Sequence, residues 1–527
     1  MPIARTHSMA LVGVHGHDVE IEADIQNGLP GLLLVGLPDT ALREARDRIR
    51  AAIVNSGEQW PLRRITVGLS PASLPKRGSG FDLGIAVAVL SAAGSVPAAA
   101  IDGVAFLGEL GLDGQLRPVR GVLPAVAAAA ARGFRRVAVP LASAAEAALV
   151  PGLQVLGAST LGGLLGWLRD GAAAGPASPV PAIEGGAVQV IEGGAMPGSG
   201  QPDEAGPGGH APDLADVLGQ PAARRAAEIC AAGGHHVCLL GPPGAGKTML
   251  AERIPTVLPR LDTAAALEVT SIHSVAGVLP DGQPLLTAPP FCAPHHTASK
   301  AAIVGGGSGV IRPGAASLAH RGCLFLDEAP EFGRDVLDAL RQPLESGEVV
   351  VARSGLTARF PARFTLILAA NPCPCAKGQQ AACECPPAAR RRYLARLSGP
   401  LLDRVDVKVE FLPVSRGELL SDRSFTEPSA VVAERVAAAR QRSAARLQDT
   451  PWRVNAEIPP SELRRCYPPA PGALAPLERA MDLGQISARG VHRVIRVAWT
   501  LADLAEVPAP TVDQTSLALG LWLGVPR

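Results

Sequence analysis

The stretch that most narrows the fold is "HHVCLLGPPGAGKTML", His235 to Leu250. Val237 to Leu240 reads as a buried strand, a glycine-rich loop follows it, and a helical segment follows the loop. Gly241, Pro242, Pro243, Gly244, Ala245, Gly246, Lys247 and Thr248 match the P-loop spacing G-x4-G-K-T in that strand–loop–helix context. Backbone amides of such a loop point at phosphate oxygens, Lys247 neutralises them, and the Thr248 hydroxyl is placed to hold Mg²⁺. Residues 213–412 carry an α/β pattern around it, so the expectation is an α/β core that binds ATP.

A second segment completes the site. "GCLFLDEAPEF" is an apolar strand ending in Asp327 and Glu328. Carboxylates there sit at the strand's C-terminal edge, where ligands bind in open α/β sheets. Asp327 is expected to bind Mg²⁺ through water, and Glu328 to polarise the attacking water. "FTLILAANP" is a further strand, ending at Asn371, whose amide is either a water-positioning group or an ordinary turn residue. Arg404 precedes the strand-like "VDVKVE", and Arg489 opens the helical "SARGVHRVIRVAWTLADLAE". Taken alone each arginine suits a solvated surface. Phosphoryl transfer, however, needs cations on the developing γ-phosphate charge, and a neighbour's arginine can supply one.

Residues 1–169 form another α/β unit, with strands expected at Gly31–Leu37, Arg64–Ser70, Val104–Leu110 and Arg135–Pro140 and a hairpin turn at Asp113–Gly114. Residues 170–212, rich in Gly, Pro and Ala, read as a linker. Residues 413–527 are mostly helical and Arg-rich, suiting a helical lid. A net charge of +1 means that any nucleic-acid surface is a local patch, and 3% aromatics argue against base stacking as its main force. "LGIAVAVLSAAG" is too short to span a bilayer, and the N-terminus lacks a signal-peptide pattern, so a cytoplasmic protein without membrane contact is expected.

In that compartment thiols stay reduced, bind metal or act in catalysis. "NPCPCAKGQQAACECPP", residues 371–387, holds Cys373, Cys375, Cys383 and Cys385 as two Cys-x-Cys pairs. Four thiolates on one short loop suit a tetrahedral ion, although structural zinc usually has two to four residues between paired ligands. Three readings stand: a structural Zn²⁺ knuckle, packed reduced thiols, or an iron site.

The order of these motifs resembles the ComM/YifB family of magnesium chelatase-like AAA+ ATPases over nearly the whole chain. The carrying segments are "GLPGLLLVGLPDTALREARDRIRAAI", "GPPGAGKTMLAERIPTVLP", "FCAPHHTASKAAIVGGG", "RPGAASLAHRGCLFLDE", "NPCPC" and "RLSGPLLDRVD". The resemblance implies a homo-oligomeric ring, usually a hexamer. In it Glu328 and Asn371 (sensor one) would be catalytic, with Arg404 as the trans-acting finger and Arg489 as sensor two. It also implies that an insert at about 271–317, including Lys300, and the hairpin "GEVVVARSGLTARFPARF", tipped by Arg353, face a central pore as candidate DNA contacts. A plain structural hairpin is the alternative.

Residues 1–169 resemble a Lon-protease-like domain with its dyad positions occupied by Asp82 and Leu123, so no proteolysis is expected; Lys76 and Arg77 mark a candidate basic edge. The implied activity is a helicase or branch-migration motor on single-stranded or branched DNA in natural transformation. The alternative is the motor subunit of a metal-chelatase-like complex, which this chain resembles only from residue 213 onward.

Overall fold

The computed structural model describes residues 3–36, 39–74, 76, 78–170, 188–190, 212–280, 282–307, 311–353, 356–375, 383–414, 417, 422 and 426–524, without the side chains of 39–43, 188–190 and 356. Most of the expected linker, together with Arg77 and the hairpin residues Ser354 and Gly355, lies outside the described residues.

The N-terminal unit opens with strands β1 (Ala4–Val12) and β2 (His15–Gln26), paired antiparallel over their length. This hairpin is not apparent in the sequence, because the buried face of β1 carries Thr6 and Ser8 rather than an apolar alternation. β3 (Gly31–Val35), β4 (Arg64–Ser70), β5 (Val104–Phe106), β6 (Glu109–Leu110), β7 (Leu116–Arg117), β8 (Arg136–Pro140), β9 (Gln154–Ala158) and β10 (Val188–Val190) follow. One mixed sheet runs β10-β9-β8-β5-β1-β2-β4-β3, and β6 and β7 form a separate hairpin. The single strand expected over Val104–Leu110 is therefore two, β5 and β6. The Asp113–Gly114 turn is present, with Gly114 at φ +82°, a conformation glycine adopts freely. The helix Asp82–Ala92 is buried along its entire length, so its apolar run is core rather than membrane. Among the described residues no helix is long and apolar enough to cross a bilayer.

The second sheet is parallel throughout: β11 (Val237–Leu240), β12 (Phe291–Cys292), β13 (Cys323–Leu326), β16 (Thr365–Ala370) and β17 (Val407–Glu410), ordered β12-β13-β16-β11-β17. Successive side chains point to opposite faces, and both faces are covered. Val237, Leu239, Phe325, Ile367 and Ala369 enter one core with the helix Pro221–Gly233. Cys238, Leu324, Leu326, Leu366 and Leu368 enter another with Phe332, Val336 and Leu337. Between β13 and β16 a separate hairpin, β14 (Glu348–Arg353) and β15 (Leu356–Pro361), stands outside both sheets.

The C-terminal segment is helical, including Ser429–Leu447, Ala488–Leu504 and Val512–Leu523. Val436, Val494, Trp499 and Trp522 join the same core as Leu239 and Phe325, so hydrophobic packing continues across residue 412. The N-terminal unit docks on the helix Thr263–Ala276 and on the β14–β15 hairpin. Leu11, Val12 and Val14 pack with Val275, Ala358 and Phe360, and the Ser274 hydroxyl donates to the half-buried Glu146 carboxylate. The helix Thr263–Ala276 and strand β15 are thereby tied to the N-terminal unit.

Candidate functional site

β11 lies between β16 and β17, and the loop Gly241–Gly246 leaves its C-terminal end. Gly244 and Gly246 have φ of +76° and +94°, in the region L side chains avoid, and a Cβ on Gly241 would come within 2.5 Å of Phe411. The glycine pattern is thus required by backbone shape as well as by close approach. Lys247 opens the helix Lys247–Arg253 with its side chain turned back into the loop. Nζ donates to the carbonyls of Gly241 (2.7 Å) and Pro242 (2.8 Å) and to Oδ1 of Asn371 (3.1 Å). Burial lowers its pKa, while Asp327 and Glu328 oppose that shift.

Parallel pairing of β11, β16 and β13 brings three sequence-distant ends to one edge. The Thr248 hydroxyl donates to Oδ2 of Asp327 at 2.8 Å, and the Glu328 amide donates to Oδ1 of the same carboxylate at 2.9 Å. Glu328 itself has φ +49°, a left-handed conformation costing a non-glycine residue on the order of 1–3 kcal/mol. Asn371 follows β16 and is buried. A hydroxyl, a carboxylate and a buried ammonium at the mouth of an amide-lined loop fit a nucleotide phosphate with a hard divalent cation, which takes oxygen ligands.

His296 is a residue whose place the sequence did not disclose. Its Nδ1 lies 3.4 Å from Oε2 of Glu328, and its ring lies 4.1 Å from that of His295, centroid to centroid. The insert around "APHHTASK", which the resemblance implies faces a pore, therefore reaches the acidic end of the site.

Arg404 and Arg489 lie elsewhere, together. Both line a cavity of about 1010 Å³ that no P-loop residue lines, alongside Arg493, Arg496, Asp403 and Glu345. Arg489 is exposed near the start of its helix. Arg404 is mostly buried and holds Glu345, a partner 59 residues away in sequence that sequence spacing did not reveal. The structure thus groups Lys247, Thr248, Asp327, Glu328 and Asn371 at one edge and the two arginines on a separate wall.

The candidate DNA contacts Lys300 and Arg353 are exposed, at the start of the helix Lys300–Val304 and at the end of β14. Lys76 is a correction: it is buried, with Nζ donating to the carbonyls of Pro71 and Leu74, so it forms no basic edge. At the expected dyad positions Asp82 is buried against Arg48 (2.8 Å), burial raising its pKa to about 6, and Leu123 is buried. The Ser79 hydroxyl donates to Glu109, not to a lysine.

The sulfur atoms of Cys373, Cys375, Cys383 and Cys385 all lie within 4.8 Å of one another, and no disulfide joins them. Sγ of Cys373 is 3.2 Å from that of Cys375 and 3.4 Å from that of Cys383. A tetrahedral ion with metal–sulfur bonds of about 2.3 Å needs sulfurs about 3.8 Å apart, so this set fits with small adjustment.

A P-loop on an inner strand of a parallel five-stranded sheet, facing an Asp-Glu pair and a buried asparagine, defines a P-loop ATPase core of the AAA+ class. Models described as magnesium chelatase, subunit ChlI, as subunit ChlI of Mg-chelatase, and as subunit ChlI C-terminal match residues 213–419, 21–143 and 426–521. The chelatase-type match thus extends into the N-terminal unit, where the sequence had suggested it only from residue 213. An uncharacterised protein of Mycobacterium tuberculosis is 50% identical over 519 residues, covering 98% of both chains. Competence protein ComM of Haemophilus influenzae is 40% identical over 510 residues, covering 96% of this chain and 94% of its own. YifB of Escherichia coli is 39% identical over 508 residues with the same coverage. The chain belongs to the ComM/YifB family of magnesium chelatase-like AAA+ ATPases.

Proposed function

We propose that the chain is an ATP-driven motor on DNA: a ring, hexameric as the family resemblance implies, acting as a helicase or branch-migration factor in recombination during natural transformation. The observation that carries this reading is the β14–β15 hairpin. It belongs to neither sheet, it is followed directly by β16 and Asn371, and its outer end carries exposed Arg353. An arginine on a stiff two-stranded arm suits a phosphate backbone. The name of the Haemophilus relative, a competence protein, supports the same reading.

In this reading Gly241 to Thr248 cradle the ATP phosphates, and Thr248 and Asp327 hold Mg²⁺, which supplies charge neutralisation for phosphoryl transfer. Glu328 accepts the proton of the attacking water, Asn371 orients that water, and Arg404 and Arg489 serve the site of the adjacent subunit. Their shared wall, apart from the P-loop, supports that assignment. Residues 1–169 are a degenerate Lon-like assembly domain, in which the Asp82–Arg48 pair and Leu123 stand where a nucleophile and base would be. Residues 213–412 are the ATPase core, residues 413–527 form its lid, and the protein works in the cytoplasm.

The four cysteines hold one structural Zn²⁺ between Asn371 and Arg404. Metal analysis of purified protein should find about one zinc per chain, and none in the quadruple Cys→Ser variant. Zinc content that survives the substitutions would remove the site.

The function is tested by ATPase rate. Single-stranded or forked DNA should raise it several-fold, and the Arg353→Ala, Lys300→Ala double variant should lose that response while keeping its basal rate. A second reading, a metal-chelatase motor, is favoured by the magnesium chelatase descriptions of the three matched models. It predicts stimulation by a porphyrin-loaded partner and none by DNA.

A further inference from the structure

Arg404 is tethered at both ends. Its backbone carbonyl accepts from Nη1 of Arg493 at 2.8 Å, and the same Nη1 lies 2.6 Å from the buried carboxylate of Asp406. Its guanidinium donates through Nη1 to the Pro400 carbonyl and through Nη2 to the Glu345 carboxylate. Its Nε is buried with no partner among the described residues, so the fork is not fully used.

The two tethers differ in kind. The Arg493–Asp406 pair has a carboxylate side chain only 1% exposed, and breaking it would strand a buried charge. The Glu345 side chain is 66% exposed, so water can replace Arg404 around it at little cost. One end of the residue is fixed and the other is exchangeable.

Glu345 also sits at a mechanical junction. It lies in the helix Arg341–Ser346, which ends at Gly347 (φ +71°), and β14 begins at the next residue, Glu348. The Ser346 hydroxyl lies 3.0 Å from the carbonyls of both Gln342 and Glu348 and can donate to either, at the junction of helix and strand. Only two residues therefore separate the partner of Arg404 from the hairpin's first residue.

We propose that Glu345 is a positioning residue that latches Arg404, holding its guanidinium on its own subunit until a neighbour's phosphate competes for it, and that release of the latch frees the base of the β14–β15 hairpin. The inference rests on the reading of Arg404 as the residue offered across the subunit interface. An anion entering the shared cavity takes Arg404 from Glu345. Conversely, a load that moves the hairpin draws Glu345 off and frees Arg404. Engagement of the arginine and the position of the hairpin's base are then coupled through the Arg404–Glu345 contact.

The test uses the full chain. Glu345→Gln keeps size and hydrogen bonding but removes the charge, and at this exposed position it should leave folding unaffected. Basal ATPase at saturating ATP should rise about two- to five-fold, the scale of an ion pair whose carboxylate partner is exposed. The KM for ATP should stay constant, and amide exchange over Glu348–Arg353 should quicken. In an Arg404→Ala background the same substitution should change the rate by nothing. A basal rate that is unchanged or lower, or an equal rise without Arg404, overturns the latch. Unchanged exchange in β14 overturns its link to the hairpin. An Arg404→Ala variant with wild-type turnover overturns the reading of Arg404 itself, separately from the latch.

Discussion

Glu328→Gln is expected to lower ATP hydrolysis by about 10³-fold while ATP binding survives. The substitution is close to isosteric, so the left-handed backbone at residue 328 and the Glu328 amide's bond to Asp327 remain. What disappears is the negative charge that, in the proposed mechanism, draws a proton from water at the moment of attack. Lys247, Thr248 and Asp327 are untouched, so phosphate and Mg²⁺ binding should persist and the variant should retain ATP through assembly. The measurement is single-turnover hydrolysis beside nucleotide retention on a desalting column. Strand displacement on forked DNA should vanish with hydrolysis. A variant that unwinds forks at the normal rate would show that Glu328 is not the group activating water.

His296 bears on the same step. Its ring nitrogen faces the Glu328 carboxylate and does not face Asp327 in any contact among the described residues. With His296 beside it and its side chain half exposed, the carboxylate is oriented with no arginine paired to it among the described residues. That is the condition a water-activating base needs.

How much of this was legible in the sequence depended on separation along the chain. The P-loop is local: its glycines, Lys247 and Thr248 lie within eight residues, and their backbone demands are visible as Gly244 and Gly246. Asp327 and Asn371 were legible one step further, because each follows an apolar run that had to become an inner parallel strand. The four cysteines were legible for the same reason, since a single short loop carries them. The Arg404–Glu345 contact was not, because no periodicity relates a helix residue to a turn residue 59 positions away. Nor was Arg493, which reaches the Arg404 carbonyl across 89 residues. The β1–β2 hairpin was hidden by chemistry instead. Thr6 faces the core as a hydroxyl because its Oγ1 donates to the Gly84 carbonyl at 2.9 Å, so a buried position reads as polar. Lys76 misled in the opposite sense, as a charge that the fold buries and satisfies with carbonyls.

Arg404→Ala carries the other large expectation, a fall in turnover of about 10³-fold or more, the scale of a charge placed on the transferring phosphoryl group. The same loss would follow if Arg404 merely held its own subunit together, since it lies between Arg493 and Glu345. Mixing separates the two explanations. An Arg404→Ala chain keeps its own Thr248, Asp327 and Glu328, and a Glu328→Gln chain keeps its own Arg404. If the arginine serves the neighbour's site, an interface pairing the first chain's P-loop with the second chain's arginine wall is complete. Two inactive preparations, co-assembled, should then recover roughly a quarter of the wild-type rate if subunits mix at random and interfaces act independently. If the arginine serves its own subunit, every chain in the mixture lacks one essential group and the mixture stays inactive. The cavity wall that carries Arg404 and Arg489, with no P-loop residue on it, favours recovery.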